Sequence, residues 1–261
     1  MHQGGAYDHE NDYPESSLSS TAMIRTILWY IFFWAYQIVS LSFFIPLLFF
    51  RVFGMKDRET AWVLRVTGAW ARSMIRAAGA TVAVRGLDNI PGDGRYCIIA
   101  NHQGGFDIPL LIGIMPVSVG FIAKKELRYI PVLSTWMKAI NCVFLDRSNR
   151  RTAAASIKQA VEQVKNGEPL IIFPEGTRSR SREMGTFKSG SMKVPIRARV
   201  AILPVTIDGS YLLKEANSGL IQPASVTVTV HEPIDAGAYR NDQTQELNER
   251  VTQTIAAPLK H

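Results

Sequence analysis

The sequence predicts an α/β protein with a mixed, largely parallel sheet flanked by helices, preceded by an N-terminal helical membrane anchor. After residue 79, short apolar runs alternate with helical stretches, which is the pattern of a parallel or mixed sheet covered on both faces. Two of these runs end directly in polar, glycine-containing loops, and open α/β sheets bind ligands where their strands end. Residues 26–50 carry no charged side chain, and this apolar run predicts the anchor.

Residues 1–22 are predicted to form a disordered acidic tail. The first 24 residues contain four acidic side chains and neither lysine nor arginine. A secretory signal peptide is a poor alternative, because acidic residues precede the apolar run and no small-residue cleavage site follows it.

Residues 23–78 are predicted to form membrane-associated helices. At ~1.5 Å per residue, the run 26–50 is long enough to cross a hydrocarbon layer of ~30 Å as one tilted helix. Pro46, together with Ser40 and Ser42, favours a break or kink instead. Two geometries therefore stay open: a helix that spans the bilayer, or a helical hairpin within one leaflet.

Residues 57–78 form a predicted amphipathic helix. It suits either an interfacial helix whose arginines meet lipid phosphates or an ordinary helix packed on the following domain. The apolar residues recur near helical spacing with arginines interleaved: Trp62, Val63, Val66, Trp70, Met74 and Ile75, with Arg58, Arg65, Arg72 and Arg76.

The positive charges that follow the apolar run predict where the remaining chain lies. If the run spans the bilayer, Arg51, Lys56 and Arg58 place the domain at residues 79–261 in the cytoplasm. The predicted location is therefore the cell membrane, with this domain on the cytoplasmic side. Cys97 and Cys142 lie in predicted strands and need not form a disulfide, which is consistent with a reducing compartment.

The domain at 79–261 shows the alternation of elements from which the fold is predicted. Strands are predicted at 80–86, 96–100, 118–123, 142–145, 169–173, 201–207 and 225–231. Helices are predicted at 105–115, 126–139, 151–166, 188–198 and 241–257.

The first polar loop, residues 101–107, follows the apolar run 96–100 and contains a histidine and an aspartate five residues apart. Two glycines let the chain turn sharply there, so that Asp107 can return to hold one ring nitrogen of His102. A histidine held in this way is a general base for a hydroxyl nucleophile. The alternative is a structural His-Asp pair at a strand end.

The second polar loop, residues 173–179, follows the apolar run 170–172. Arg178 supplies a planar fork of donors suited to phosphate or carboxylate, and Thr177 and Ser179 add hydroxyl donors. The alternative is a Pro-Glu-Gly turn followed by a surface arginine.

Together the two loops strongly resemble the glycerolipid acyltransferase family. Its first motif is Asn-His, four variable residues and Asp, and its third is Phe-Pro-Glu-Gly-Thr-Arg-Ser. Residues 141–147 resemble the second motif, 201–207 the fourth, and 124–127 a common segment between the first two. The resemblance covers about residues 80–235 and is closest to the 1-acyl-glycerol-3-phosphate acyltransferases, which form phosphatidic acid from lysophosphatidic acid. The departure is Gly104-Gly105, where many relatives carry larger polar residues.

The resemblance implies an O-acyltransferase whose catalytic residues are His102 and Asp107. His102 is expected to remove the proton from the free hydroxyl of a lysophospholipid acceptor, which then attacks the thioester carbonyl of a fatty-acyl donor. Asp107 is expected to fix the imidazole tautomer and to stabilise the imidazolium. Because the acceptor's own oxygen is the nucleophile, no acyl-enzyme is expected.

The resemblance also implies a substrate-binding set around this dyad. Arg178 is expected to hold the acceptor's phosphate, with Glu175 orienting Arg178 or the headgroup. For Lys124 and Lys125 the alternative is a solvated start of a helix. The expected substrate-binding residues are Lys124, Lys125, Arg147, Glu175, Gly176, Thr177 and Arg178.

The expected partners are a membrane phospholipid surface, lysophosphatidic acid and an acyl donor, which is either acyl-CoA or acyl-acyl carrier protein. No bound cofactor is expected, because no Walker loop or dinucleotide fingerprint is present. No metal is expected either, because the remaining histidines are too scattered for a zinc site.

The formal net charge is +7, and the residues after the acidic tail carry +11. This positive charge would suit a nucleic-acid-binding protein. The sequence contains no nucleic-acid-binding motif, however, and an apolar anchor is not expected in such a protein. Anionic lipid, a phosphorylated substrate and an acidic acyl donor explain the same charges. Three alternatives stay open. They are transfer to another acceptor (glycerol 3-phosphate, another lysophospholipid or a lyso-aminolipid), a membrane-bound lipid acyl hydrolase, and a non-catalytic lipid-binding protein.

Overall fold

The computed structural model describes residues 20–146 and 149–260, without the side chain of Arg150. Residues 1–19 of the predicted acidic tail lie outside the described residues, and so does Arg147. The last three residues of that predicted tail are helical, because the first helix begins at Ser20.

The N-terminal region folds into helices α1 (Ser20–Ser40), α2 (Phe44–Val52) and α3 (Lys56–Ala78). The helical conformation is interrupted by a turn at residues 41–43. There the hydroxyls of Ser40 and Ser42 donate to backbone carbonyls three residues earlier. Pro46 lies in the first turn of α2, where a backbone N–H has no intrahelical partner. The two serines therefore mark the break, and the proline does not interrupt a helix.

The helical stretch Ser20–Val52 is long and apolar enough to cross a membrane. Only 11% of its most apolar window is buried against the rest of the protein. Most of the exposed large apolar side chains of the described chain lie between Met23 and Phe53. Such a concentration of exposed apolar surface is typical of a membrane-associated element.

Helix α3 packs its apolar face on helix α4 (Asp107–Ile114) and buries Val63, Val66 and Met74. Its apolar face therefore belongs to the protein core, as expected for an ordinary helix packed on the following domain. The four arginines predicted to face lipid phosphates, Arg58, Arg65, Arg72 and Arg76, are all exposed.

Within the described residues, one eight-stranded sheet has the order β1-β7-β6-β2-β5-β3-β4, with β8 paired to β6. The pairs β6–β7 and β6–β8 are antiparallel, and the other recorded pairs are parallel. The predicted mixed, largely parallel sheet is confirmed. The strands are β1 (Thr81–Arg85), β2 (Tyr96–Ala100), β3 (Gly120–Lys124), β4 (Val143–Leu145), β5 (Leu170–Ile172), β6 (Ala201–Asp208), β7 (Ser225–Val230) and β8 (Ile234–Asp235).

Helices cover both faces of this sheet, with α3, α4 and α5 on one side and α6, α7 and α8 on the other. The helices after α4 are α5 (Leu133–Ala139), α6 (Arg150–Lys165), α7 (Lys193–Ala198) and α8 (Thr244–Ala256). Short 3-10 turns occupy Leu87–Asn89, Lys125–Tyr129, Ser189–Met192, Ser210–Leu213, Glu215–Asn217 and Ala257–Lys260.

Two predicted helices are shorter than expected. The one predicted at 126–139 is a 3-10 turn followed by α5, because Pro131 lacks an N–H and holds Ile130 in an extended conformation. The one predicted at 188–198 begins as the 3-10 turn Ser189–Met192. Strand β8 was not predicted, because two residues are too few to show a pattern.

The two cysteines lie in opposite apolar layers, so they do not form a disulfide. Burial raises the pKa of both thiols above their ordinary value. We therefore expect the folded protein to react very slowly with a thiol reagent such as dithionitrobenzoate, and both thiols to react once it is unfolded in guanidinium. A fast-reacting thiol in the folded protein would place Cys97 or Cys142 at the surface and contradict this packing.

Candidate active site

The first loop of the candidate site begins where β2 ends, at Asn101. The Asn101 side chain donates to the carbonyl of Ile207 and accepts from its N–H, both at 2.8 Å. This pair of bonds fastens the end of β2 to the neighbouring strand β6. His102 therefore leaves the sheet from a fixed position at the carboxyl end of the parallel strands.

His102 and Asp107 are in contact, as their spacing predicted. The His102 Nδ1 lies 2.7 Å from the Asp107 Oδ2, and the Asp107 side chain is 0% exposed. The same carboxylate accepts the Gly104 N–H at 2.9 Å and the Ser210 hydroxyl. An ionised carboxylate only accepts, so it fixes the proton on Nδ1 and leaves Nε2 of the imidazole as an acceptor.

Phe173 and Glu175, from the second loop, hold His102 from two further directions. The Phe173 ring stacks on the imidazole with centroids 4.1 Å apart. Glu175 accepts the His102 N–H at 2.6 Å and the Gly185 N–H at 2.8 Å. Burial raises the pKa of the Glu175 carboxyl above its ordinary value, although both backbone donors oppose that rise. The bonds from Glu175 thus go to the backbone of the histidine and not to Arg178.

The two loops are joined through their backbones. The Ser179 N–H donates to the His102 carbonyl at 2.8 Å, and the Arg180 N–H donates to the Gln103 carbonyl at 3.1 Å. Gly176 turns the second loop with φ +76°, a conformation that favours glycine. These contacts bring the Arg178 guanidinium beside Gly105 of the first loop, where the arginine side chain is 45% exposed.

The carboxylate that pairs with Arg178 belongs to Glu215, which was not predicted from the sequence. Its Oε1 lies 3.2 Å from the Arg178 Nη1 and accepts the Gly105 N–H at 2.8 Å. Ser210, which donates to Asp107, was not predicted either. Glu215 lies 37 residues beyond Arg178 and 110 beyond Gly105, Ser210 lies 103 residues beyond Asp107, and no motif marks either residue.

The other predicted substrate-binding residues lie further along the same edge of the sheet. Strand β5 lies between β2 and β3 in the sheet, so Lys124, which ends β3, and Lys125, which follows it, are two strands away from the strand that leads to His102. Lys124 is exposed, and the Lys125 Nζ lies 2.9 Å from the Asp146 Oδ2, which raises the pKa of that lysine. Thr177 is exposed beside Arg178.

An apolar cavity of about 350 Å³ opens beside the first loop, between helices α1, α3, α4 and α5. Its lining is mainly aromatic and aliphatic and includes Trp29, Phe33, Trp70, Ile112, Trp136 and Met137. Gly105 and Phe106 of the first loop, together with Lys214, also line it. The cavity is therefore an apolar space beside the loop that carries the histidine, partly enclosed by the N-terminal helix. Among the described residues, no group of His, Cys, Asp or Glu is arranged to hold a metal ion.

Comparison with known proteins places this chain in one family. Residues 81–208 match the family model described as Acyltransferase. The chain is 41% identical over 197 residues to a probable 1-acyl-sn-glycerol-3-phosphate acyltransferase of Mycoplasma pneumoniae, in a match covering 68% of this chain and 71% of that protein. It is 34% identical over 185 residues to the 1-acyl-sn-glycerol-3-phosphate acyltransferase of Saccharomyces cerevisiae, covering 70% of this chain and 61% of that one.

A solved structure has the same architecture. It is the crystal structure of the 1-acyl-sn-glycerophosphate (LPA) acyltransferase, PlsC, from Thermotoga maritima. The two folds superpose with a TM-score of 0.78 at 32% sequence identity, over 92% of this chain and 96% of that chain. The chain therefore belongs to the 1-acyl-sn-glycerol-3-phosphate acyltransferase family.

Proposed function

We propose that this protein transfers a fatty-acyl group from an acyl thioester to the sn-2 hydroxyl of 1-acyl-glycerol 3-phosphate and forms phosphatidic acid. The observation that carries the proposal is the His102–Asp107 pair, in which Asp107 occupies Nδ1 and leaves Nε2 as an acceptor, on a loop that also lines an apolar cavity. The names of the relatives support the choice of acceptor.

In the proposed mechanism His102 is the general base. Its Nε2 takes the proton of the acceptor hydroxyl as the oxygen attacks the thioester carbonyl. The tetrahedral intermediate collapses by breaking the C–S bond, and the imidazolium returns the proton to the leaving thiolate. Asp107 stabilises the imidazolium between these steps. The nucleophile is supplied by the substrate, so the enzyme needs no acyl intermediate.

Arg178 is the proposed ligand of the acceptor's phosphate, because its exposed guanidinium lies over the loop that carries the histidine. We expect Arg178→Ala to raise the KM for the acceptor by about 10- to 100-fold, since hydrogen bonds to charged groups contribute about 1.5–3 kcal/mol. Arg178→Lys should restore only part of the loss, because a lysine lacks the planar fork of donors.

Steady-state kinetics with varied acceptor measure this effect. Arg240→Ala is a matched control, because Arg240 is also an exposed arginine paired with a carboxylate, that of Asp242. An unchanged acceptor KM in Arg178→Ala would remove this arginine from the phosphate site. Positive charge where the acceptor's phosphate enters the site is proposed to come also from Lys124, Lys125 and Arg147. The shape of the second loop is proposed to depend on Glu175, Gly176 and Thr177.

The apolar cavity is proposed to hold the fatty chain of the acyl donor. Met137 lines it and is 2% exposed. Met137→Phe narrows the cavity, so we expect the ratio of kcat/KM for long over short acyl donors to fall by about tenfold, the effect of roughly one methylene in a tight pocket. The measurement is a series of acyl-CoA donors of increasing chain length.

Met192→Phe is the matched control for that series. Met192 is equally buried, but it lies in the opposite apolar layer, so its replacement has a similar packing cost without touching the cavity. If the chain-length preference shifts for the acceptor and not for the donor, the cavity holds the acceptor's chain instead.

The N-terminal helices are proposed to keep the active site at a phospholipid surface, with the catalytic domain on the cytoplasmic side of the cell membrane. The acceptor and the product are both lipids, whereas acyl-CoA and acyl-acyl carrier protein are soluble donors. The exposed apolar side chains of α1 and α2 supply the lipid contact.

Product analysis tests the proposal. The detergent-purified protein is incubated with labelled acyl-CoA, or with acyl-acyl carrier protein, and 1-acyl-glycerol 3-phosphate, and the lipids are separated. Phosphatidic acid is the expected product. Free fatty acid as the only labelled product would show a hydrolase. Acylation of glycerol 3-phosphate or another lysolipid, with none of 1-acyl-glycerol 3-phosphate, would replace the proposed acceptor.

A further inference from the structure

The Glu215 side chain lies directly against the two glycines of the first loop. It is 7% exposed, although it belongs to a short surface turn at residues 215–217. Its Oε1 accepts two hydrogen bonds, from the Gly105 N–H and from Arg178. Within the described residues its Oε2 is buried and has no hydrogen-bond partner. Such an oxygen costs free energy, so a functional reason for its position is to be sought.

The position of Glu215 accounts for the missing side chain at Gly104. A β-carbon on Gly104 would lie 2.6 Å from the Glu215 Oε2, and its three nearest heavy atoms would all belong to Glu215. The φ of Gly104 is outside the left-handed region, so its backbone tolerates a side chain. The Glu215 carboxylate is therefore what keeps this position small. The first loop and the Glu215 carboxylate are therefore in close contact at Gly104 and Gly105.

The turn that carries Glu215 is itself held from behind. Lys214 donates to the Tyr30 hydroxyl of α1 at 2.7 Å, and the Ile221 N–H donates to the Thr26 hydroxyl of α1 at 2.8 Å. Within the turn, the Gly219 N–H donates to the Lys214 carbonyl. The Ile221 bond ties the chain after Glu215 to α1, and the Lys214 side chain contacts the same helix just before Glu215, so the turn that carries this carboxylate is anchored on α1.

We propose that Glu215 is a positioning residue that fixes Arg178 for a phosphorylated acceptor; this role rests on the proposed function. A guanidinium has five N–H donors, and Glu215 engages it only through Nη1, so the remaining donors are available to a phosphate. Without Glu215 the exposed arginine has to be ordered when the acceptor binds, and ordering a long side chain weakens binding. The Arg178 guanidinium offsets the charge of the carboxylate, which limits its repulsion of the phosphate.

The experiment compares Glu215→Ala, Glu215→Gln and Gly104→Ser with the wild type, with acceptor and donor varied separately. We expect Glu215→Ala to raise the acceptor KM by about tenfold, equivalent to about 1.4 kcal/mol. The kcat at saturating acceptor and the donor KM should change less than about twofold. Glu215→Gln should rescue part of the effect, because its amide oxygen still accepts from the Gly105 N–H.

Gly104→Ser reaches the same contact from the other side, so it should reproduce the effect of Glu215→Ala. In the Glu215→Ala background it should add almost nothing, since residues that act through one contact are not additive. The thermal unfolding midpoint of each variant shows that it is folded.

Each outcome decides one question. A wild type that acylates no phosphorylated acceptor refutes the proposed function, and with it this role. Phosphatidic acid from the wild type, with an unchanged acceptor KM in Glu215→Ala, refutes the role of Glu215 alone. A lower acceptor KM in Glu215→Ala also refutes it and shows that the carboxylate competes with the headgroup. Additive effects of Gly104→Ser and Glu215→Ala show that the two residues act separately.

Discussion

His102→Ala is expected to lower kcat for phosphatidic acid formation by about three orders of magnitude, since general base catalysis typically contributes 10²- to 10⁴-fold. The variant loses the only nitrogen placed to take the acceptor's proton among the described residues of the first loop. It keeps the N-terminal helices, so its fraction in the membrane pellet should equal that of the wild type. Product formation at saturating concentrations of both substrates measures the loss.

His231→Ala is the matched control for this variant. His231 also has one side-chain partner, the Thr206 hydroxyl at 2.8 Å from Nε2. His231 follows β7, and its N–H donates to the carbonyl of Pro204. Pro204 lies four residues before the carboxyl end of β6, so His231 lies away from the edge of the sheet that carries His102. We expect His231→Ala to keep most of the activity. If His102→Ala also keeps it, His102 is not the base.

The first loop shows how the fold prepares the histidine for this chemistry. Four side chains bind the backbone or ring of residues 101–105: Asp107, Phe173, Glu175 and Glu215. They come from three separate parts of the chain. Three of them contact His102: Asp107 and Phe173 at the ring, and Glu175 at the backbone N–H. Such a surrounding fixes the imidazole before substrate binds, which lowers the reorganisation required in the transition state.

Most of the sheet was predictable because its strands are either short apolar runs, such as β2 and β5, or alternate apolar and polar residues, as β7 does. All seven predicted strands are present, and β2 alternates its side chains between the two apolar layers. The helix predicted at 126–139 was too long, because its apolar spacing continues through Pro131 whereas the backbone cannot. Backbone restrictions of this kind override periodicity.

For the site, the contacts between residues close in sequence were predictable, and those between distant residues were not. His102 and Asp107 are five residues apart, so a single turn brings them together and the sequence shows the pair. The partner of Arg178 is 37 residues away, and that of Gly105 is 110 residues away. No spacing rule links such residues, and Glu175, which stands in a motif, looked like the natural partner of Arg178. Only the folded chain shows that Glu175 holds His102 while Glu215 holds Arg178.

Asp107→Asn is expected to lower kcat by about 100-fold, less than the loss of the histidine. An adjacent carboxylate stabilises the imidazolium that forms when the base takes the proton, and a neutral amide does not. The asparagine side chain has two possible orientations, which exchange its amide oxygen and its NH₂ group. If its oxygen faces Gly104 and His102, its NH₂ faces Ser210, whose hydroxyl can rotate to accept. In the reverse orientation the Gly104 N–H meets a donor and is left unpaired.

The first orientation should therefore prevail, and the histidine should keep its proton on Nδ1. The loss in Asp107→Asn is then mainly electrostatic, and the protein should remain folded with little change in the acceptor KM. Asp242→Asn makes the same substitution in an exposed Asp–Arg pair and should leave kcat unchanged. A loss in Asp107→Asn as large as that in His102→Ala would instead indicate the reverse orientation, in which the amide donates to Nδ1 and the base is protonated on Nε2. Wild-type kcat in Asp107→Asn would show that the imidazolium needs no carboxylate.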